Sequence, residues 1–159
     1  MDFRNTIIIL TSNLGSELLA NQEEGHDTSV IRESVMDVVQ ERFRPEFLNR
    51  LDEVILFHRL FREHMDAIVN IQLNRLRDRL AFRKIELEVD QLALTWLADV
   101  GYDHVYGARP LKRVIQRNLE NPMASLILEH KIRDGDNVEV TAALDKLLIN
   151  GEDACAEAA

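Results

Sequence analysis

The sequence predicts two unlike parts, an α/β segment followed by an α+β unit. Three observations carry this. Ile7-Ile8-Ile9-Leu10 and Val54-Ile55-Leu56-Phe57 are short, nearly pure apolar runs, the pattern of strands covered on both faces of a parallel sheet. After His58 the apolar period lengthens to that of a helix, then shortens to strict alternation at Ile85, Leu87 and Val89. Proline and glycine mark the joints, at Pro45, Gly101, Pro110, Pro122 and Gly135.

Thr6 to Thr11 reads as a buried strand ending in polar Ser12-Asn13, with Gly15 just beyond. Asn21 to Asp27 is polar and reads as a loop. Thr28 or Ser29 suits a helix cap, and Ile31, Val35, Val38, Val39 and Phe43 share one helical stripe. Pro45 ends that helix and opens a short new turn, because it lacks an N–H and its φ is preset for a first helical position. Asp52-Glu53 leads into the second apolar strand.

Phe61 to Phe82 predicts one long amphipathic helix with Met65, Ile68, Val69, Leu73, Leu76 and Leu80 inward. A half-exposed strand follows over Ile85 to Val89. Asp90 caps a helix carrying Leu92, Trp96, Leu97 and Val100 on its buried stripe, and Gly101 closes it in the left-handed position. Pro110 starts another helix with Leu111, Val114, Ile115 and Leu119, and Pro122 interrupts it and starts a further helix through about Glu129. Gly135 marks a turn before a hairpin of Val138-Val140 with Leu147-Ile149. From Gly151 the chain reads as a mobile tail of small and acidic residues. The expected boundaries are 1–58 for the α/β segment, 59–150 for the α+β unit and 151–159 for the tail.

Composition narrows the function. The 159 residues are 46% hydrophobic and 30% charged, enough apolar content for a core and unlike a disordered or membrane chain. No apolar run approaches the roughly 20 residues of a membrane-spanning helix. The formal net charge of −9 argues against nucleic acid as a partner. The cluster Arg75, Arg77, Arg79, Arg83 and Lys84 reads as a solvated helix face with Asp78 interspersed. One cysteine, Cys155, forms no internal disulfide, and no secretory leader is recognisable, so a reducing cytoplasm is expected. The histidines have no metal-binding spacing, so no metal site is predicted.

Two arginine motifs carry the chemistry, Phe43-Arg44-Pro45-Glu46-Phe47-Leu48-Asn49-Arg50-Leu51-Asp52 and Gly107-Ala108-Arg109-Pro110. Each sets a permanent guanidinium at a Pro-marked turn, suited to phosphate oxygens. Taken singly, Arg50 also reads as a surface ion pair with Asp52 or Glu53, Asn13 as a turn residue, and Trp96 as core. The phosphate-cradling Gly-x-x-x-x-Gly-Lys-Ser/Thr loop does not occur in the sequence.

Taken together, Thr11-Ser12-Asn13-Leu14-Gly15-Ser16, the Phe43–Glu53 segment, Gly101-Tyr102-Asp103 and Val105-Tyr106-Gly107-Ala108-Arg109-Pro110-Leu111-Lys112-Arg113 resemble the second AAA+ module of Clp-type unfoldases. The resemblance runs from the first residues to about Ile149. It implies the end of an AAA+ large domain followed by a small lid domain, belonging to an ATP-dependent disaggregase. It implies that Asn13 is the sensor-1 residue near the γ-phosphate, Arg50 the arginine finger acting on a neighbouring subunit's nucleotide, and Arg109 the sensor-2 residue, with Gly107 and Ala108 shaping its approach. It implies Mg-ATP as cofactor, with the phosphate loop and the Mg²⁺ ligands lying before residue 1. The implied partners are neighbouring subunits of a homohexameric ring, misfolded or aggregated client proteins, and in some settings a co-chaperone, with neither nucleic acid nor membrane. The isolated chain is expected to hydrolyse no ATP. The rival reading is a stand-alone module that binds or assembles proteins without nucleotide.

Overall fold

The computed structural model describes residues 5–20 and 28–153; the expected loop at Asn21–Asp27, Cys155 and the end of the tail lie outside them. The chain divides into two compact units, Met1–Arg59 and Leu60–Ala159.

In the first unit, α1 (Ser16–Ala20), α2 (Thr28–Arg42) and α3 (Pro45–Leu48) are the regular elements described. The α2 stripe holds: Val35 is buried and Ile31, Val38, Val39 and Phe43 are half-buried. Residues 6–11 and 54–57 are not strands. Ile7 is 90% exposed and Phe57 79%. The correction has a simple cause. An interior strand needs a hydrogen-bonded neighbour on each edge and a cover on each face, and among the described residues neither run has them.

The second unit holds the core. Phe61 is extended and donates its N–H to His64 Nδ1 at 3.1 Å, which closes a 3₁₀ turn at Arg62–His64 before α4 (Met65–Ala81). The expected single helix therefore begins as a tighter turn. Met65, Val69, Leu73, Leu76 and Leu80 of α4 are buried, as the period dictates. β1 (Glu86–Val89) follows. Asp90 caps α5 (Gln91–Val100), accepting the Ala93 N–H at 2.8 Å. The buried stripe of α5 is Ala93, Leu97 and Ala98; Trp96 packs at its margin, whereas Leu92 and Val100 are exposed.

Gly101 ends α5, but with φ −83° rather than in the left-handed region. What demands glycine there is space: a Cβ would lie 2.5 Å from Leu111 Cδ1 and 2.6 Å from the Leu97 carbonyl oxygen. Pro122 stands in the first turn of a further helical segment, as expected, but no gap separates that segment from the one before it. α6 (Leu111–Ile115) widens into a π turn (Gln116–Glu120) and continues as α7 (Asn121–Leu128). The Asn121 N–H reaches back five residues to the Gln116 carbonyl, so the register is already shifted where the proline removes a donor.

Four strands form one sheet in the order β1-β2-β3-β4, with β2 (Asn137–Ala143), β3 (Lys146–Ile149) and β4 (Glu152–Asp153). β1 and β2 are parallel, Leu87 opposite Val138, and the remaining pairs are antiparallel. The β2–β3 turn is Leu144-Asp145 and the β3–β4 turn Asn150-Gly151; all four residues have positive φ, as a two-residue turn matching strand twist requires. Glu152-Asp153 thus belongs to the sheet rather than to a tail, secured by a Lys146–Asp153 ion pair at 2.8 Å. Val138, Val140, Leu147 and Ile149 face the helices and complete a wholly apolar core.

Candidate functional site

Asn13 lies on a turn leading into α1. Its carbonyl accepts the Ser16 N–H at 3.2 Å, and Ser12 Oγ accepts the Leu14 N–H at 3.2 Å. Gly15 turns the chain at φ +73°, with a virtual Cβ only 3.1 Å from both γ-methyls of Val35. The backbone is thereby held against α2 while the Asn13 residue stays exposed.

Arg50 is positioned by a second turn. Arg44 is extended ahead of Pro45, and the rings of Phe43 and Phe47 stack at 5.2 Å across the joint. The Asn49 N–H bonds to the Pro45 carbonyl at 2.9 Å and the Arg50 N–H to that of Phe47 at 3.0 Å. The backbone is fixed and the guanidinium is not: among the described residues no ion pair or hydrogen bond takes up the Arg50 side chain. Neither Asp52 nor Glu53 pairs with it, contrary to the salt-bridge alternative.

Arg109, Gly107 and Ala108 share one loop of the second unit. Asp103 and Gly107 exchange backbone hydrogen bonds, and Asp103 Oδ1 accepts the N–H groups of Val105 and Tyr106 at 2.7 Å each. Those two bonds, Tyr106 first, hold the Asp103 carboxyl below the usual carboxylate range. Gly107 has φ +61°, and a Cβ would meet only Leu60 at 3.7 Å, so its requirement is the backbone angle rather than close packing. Its N–H is already given to Asp103. Ala108 packs on the core and its carbonyl accepts the Leu111 N–H at 3.2 Å. Arg109 follows, exposed and without an internal partner among the described residues. Sequence reading missed Asp103 as the organiser of this loop; an Asp two residues ahead of an otherwise unpartnered amide is the signal that marks such a turn.

Other arginines behave differently. Arg32 donates to the Val54 carbonyl at 3.1 Å, Arg62 to Asp66 and Asp99, Arg77 to the Leu87 carbonyl at 3.1 Å, Arg79 to Glu120, and Arg83 to Asp134 at 2.8 Å. Three members of the basic cluster on and after α4 are therefore bonded to groups of the fold itself. Among the described residues no group of three or more His, Cys, Asp or Glu side chains could hold a metal ion. No helix among them is long and apolar enough to cross a membrane. The guanidinium groups of Arg50 and Arg109 are donors only and suit phosphate oxygens, whereas the Asn13 amide can donate or accept.

Comparison with known proteins agrees with this layout. The AAA domain (Cdc48 subfamily) family matches residues 1–54, and the family described as the C-terminal, D2-small domain of ClpB protein matches residues 60–140. The fold is thus the end of an AAA-type domain followed by a small α+β domain. Within that class, the chain belongs to the ClpB family. The chaperone protein ClpB of Rhodopseudomonas palustris is 56% identical over 152 residues, covering 96% of this chain and 17% of the relative. That of Agrobacterium fabrum is 54% identical over 158 residues, covering 99% and 18%. Among solved structures, the S. cerevisiae Hsp104:casein complex in its extended conformation matches with a TM-score of 0.74 and 33% identity, over 87% of this chain and 24% of that one. The chain therefore spans less than a fifth of the length of the curated relatives it matches.

Proposed function

We propose that this chain is the C-terminal part of an ATP-driven protein disaggregase of the cytoplasm, working in a hexameric ring. In this reading Arg50 reaches the nucleotide of the neighbouring subunit, Arg109 contacts the nucleotide of its own, and Asn13 orients the attacking water or the γ-phosphate. Gly107 and Ala108 set the angle at which Arg109 leaves its loop. Mg-ATP supplies the phosphoryl group and its charge-neutralising ion, held by residues outside this chain. The chain's own side chains neutralise charge as it spreads over the equatorial oxygens. A lid arginine that touches nucleotide in one state and not another links hydrolysis to lid angle, and through it to pulling on misfolded clients, with or without a co-chaperone.

One observation carries the proposal: Arg50 and Arg109 each sit on a tightly hydrogen-bonded turn, yet neither guanidinium has an internal partner among the described residues. A fixed base with an unspent charge is what a ligand contact needs. The test is ATP turnover and recovery of aggregated protein by the full-length hexamer carrying Arg50→Ala or Arg109→Ala. Each substitution is expected to lower turnover by about 10³-fold or more at the arginine finger and less at the lid. Turnover unchanged in both variants refutes the assignment.

The exposed Ile7–Leu10 and Ile55, Phe57 runs favour a second reading, a nucleotide-independent binding module. Light scattering separates the two. A concentration-independent monomer that binds an unfolded client supports the module; aggregation relieved by the upstream half of the ATPase domain supports the disaggregase.

A further inference from the structure

The helix that follows Arg109 carries more positive charge than one phosphate contact uses. Leu111, Ile115, Leu119 and Met123 are buried at a constant four-residue spacing. A plain α-helix drifts by about 40° every four residues. The π turn at Gln116–Glu120 takes up that drift, so the inward line stays straight. Arg113 and Arg117 fall midway between the buried positions, on the opposite side of the helix, and both are exposed. Arg109 lies one four-residue step before Arg113, in the turn that enters α6.

Nothing internal neutralises this row among the described residues. From His104 to Leu119 the sequence has no acid, although the chain has 28. The acid before the row, Asp103, holds the Val105 and Tyr106 amides, and the acid after it, Glu120, is paired with Arg79. Among the described residues no ion pair or hydrogen bond takes up the side chain of Arg113 or Arg117. Like charges four residues apart on a helix repel, so the row is at its least favourable when no anion faces it.

The backbone of Arg113 is firmly set. Its N–H bonds to the Pro110 carbonyl at 2.9 Å, and the Val114 N–H reaches the same oxygen at 3.1 Å. One helical turn, about 5.4 Å, separates Arg113 from Arg109 along the axis. Two arginine side chains at that spacing can both reach one polyphosphate, whose several charges a single guanidinium does not neutralise. Arg117 stands a second turn away.

We propose that Arg113 is a second phosphate-binding residue, donating to the same nucleotide as Arg109 from one turn further along the helix. This rests on the nucleotide reading of Arg109.

Titration of the full-length protein with a fluorescent, non-hydrolysable ATP analogue tests it; sites elsewhere in that protein are the same in every variant. Arg113→Ala is expected to weaken binding at least about tenfold. Arg113→Lys is expected to weaken it less, because an ammonium keeps the charge and loses the two-pronged bond. Added salt is expected to narrow the gap between wild type and Arg113→Ala. Arg117→Ala is expected to bind as wild type does. All three arginines are exposed, so melts of the variants are expected to coincide with wild type, which separates a lost contact from a lost fold. Arg109→Ala is the reference. Weaker binding in Arg109→Ala with none in Arg113→Ala overturns the proposal and leaves the reading of Arg109 standing. Undiminished binding in both variants overturns the two together. Equal weakening in Arg113→Ala and Arg117→Ala overturns the proposal as well, since the row then acts as a diffuse positive field and not through one contact.

Discussion

Asp103 and Gly107 close a short loop on one another: the Gly107 N–H reaches the Asp103 carbonyl at 2.7 Å and the Asp103 N–H returns to that of Gly107 at 2.9 Å. With the Asp103 carboxylate also holding the Val105 and Tyr106 amides, one residue satisfies four backbone donors and acceptors of the loop that delivers Arg109. The polar satisfaction is local, so the loop is rigid without being buried. The arginine can therefore project from a fixed point while its charge stays available to another molecule.

The two glycines flanking this loop are predicted to respond differently to the same substitution. Gly107→Ala meets only Leu60, at an ordinary contact distance of 3.7 Å, so its cost is the left-handed backbone angle, about 1 kcal/mol. Gly101→Ala has an ordinary φ but drives a methyl into Leu111 and into the Leu97 carbonyl. Backbone cannot move aside as a side chain can, so a loss of about 3 kcal/mol is expected. Thermal melts of the two variants check the order; an equal or reversed ranking contradicts the geometry.

Asp103 gives the loop an acid limit. Its folded carboxyl titrates below its unfolded value, so its contribution is complete above the ordinary carboxylate range near pH 4 and is lost as pH falls through the lower folded value. The Val105 and Tyr106 amide resonances are expected to shift together in that acid window and to stay flat in Asp103→Asn. The substituted amide cannot ionise, though its oxygen still accepts. Shifts that persist unchanged in the variant assign the transition to another group.

How much of this was legible in the sequence depends on where each residue finds its partners. The second unit was readable because its partners are near in the chain. The α4 period, the alternation at Ile85–Val89 and the Asp90 cap appear as expected. In the first unit the α2 stripe and the Pro45 turn were readable too, but the two strands were not, because Ile7–Leu10 and Val54–Phe57 have strand composition but no sheet neighbours among the described residues. Glu152-Asp153 was misread for its acidity, although Asn150-Gly151 ahead of it is a strong two-residue hairpin signal. The turns bearing Arg50 and Arg109 were located from Pro45 and Pro110. The sequence left open whether their guanidinium groups pair internally, since acids such as Asp52, Glu53 and Asp103 stand close in the chain.

Arg62 is the polar tie between the start of α4 and the end of α5. It donates to Asp99 at 2.6 Å and to Asp66 at 2.9 Å, with a longer bond to the Thr95 carbonyl at 3.4 Å. Partial burial pulls its pKa down, and the bonds to Asp99 and Asp66 more than restore it, leaving it raised. The pair is half in water, so the interaction is worth only about 1 kcal/mol despite its short distances. Arg62→Ala is expected to lower stability by about that amount, and the difference from wild type is expected to shrink in 1 M salt. Arg62→Lys is expected to recover less than half, because one ammonium cannot serve both carboxylates in fork geometry.

The strongest discrimination comes from separating charge from fold at the Arg109 loop and the helix after it. Arg109 is exposed and contacts no acid among the described residues, whereas Leu111, two residues on, is 1% exposed and lies against Gly101. Arg109→Ala is therefore expected to change the stability of the chain by less than about 0.5 kcal/mol. Leu111→Ala is expected to cost about 2–5 kcal/mol through lost contact and a cavity. Arg50→Ala is expected to match Arg109→Ala, since its turn is held by backbone bonds that the side chain does not share. Denaturant melts of the three variants give the comparison. An arginine substitution that destabilises as much as Leu111→Ala reveals an internal partner for that guanidinium, and its charge is then spent on the fold rather than reserved for a phosphate.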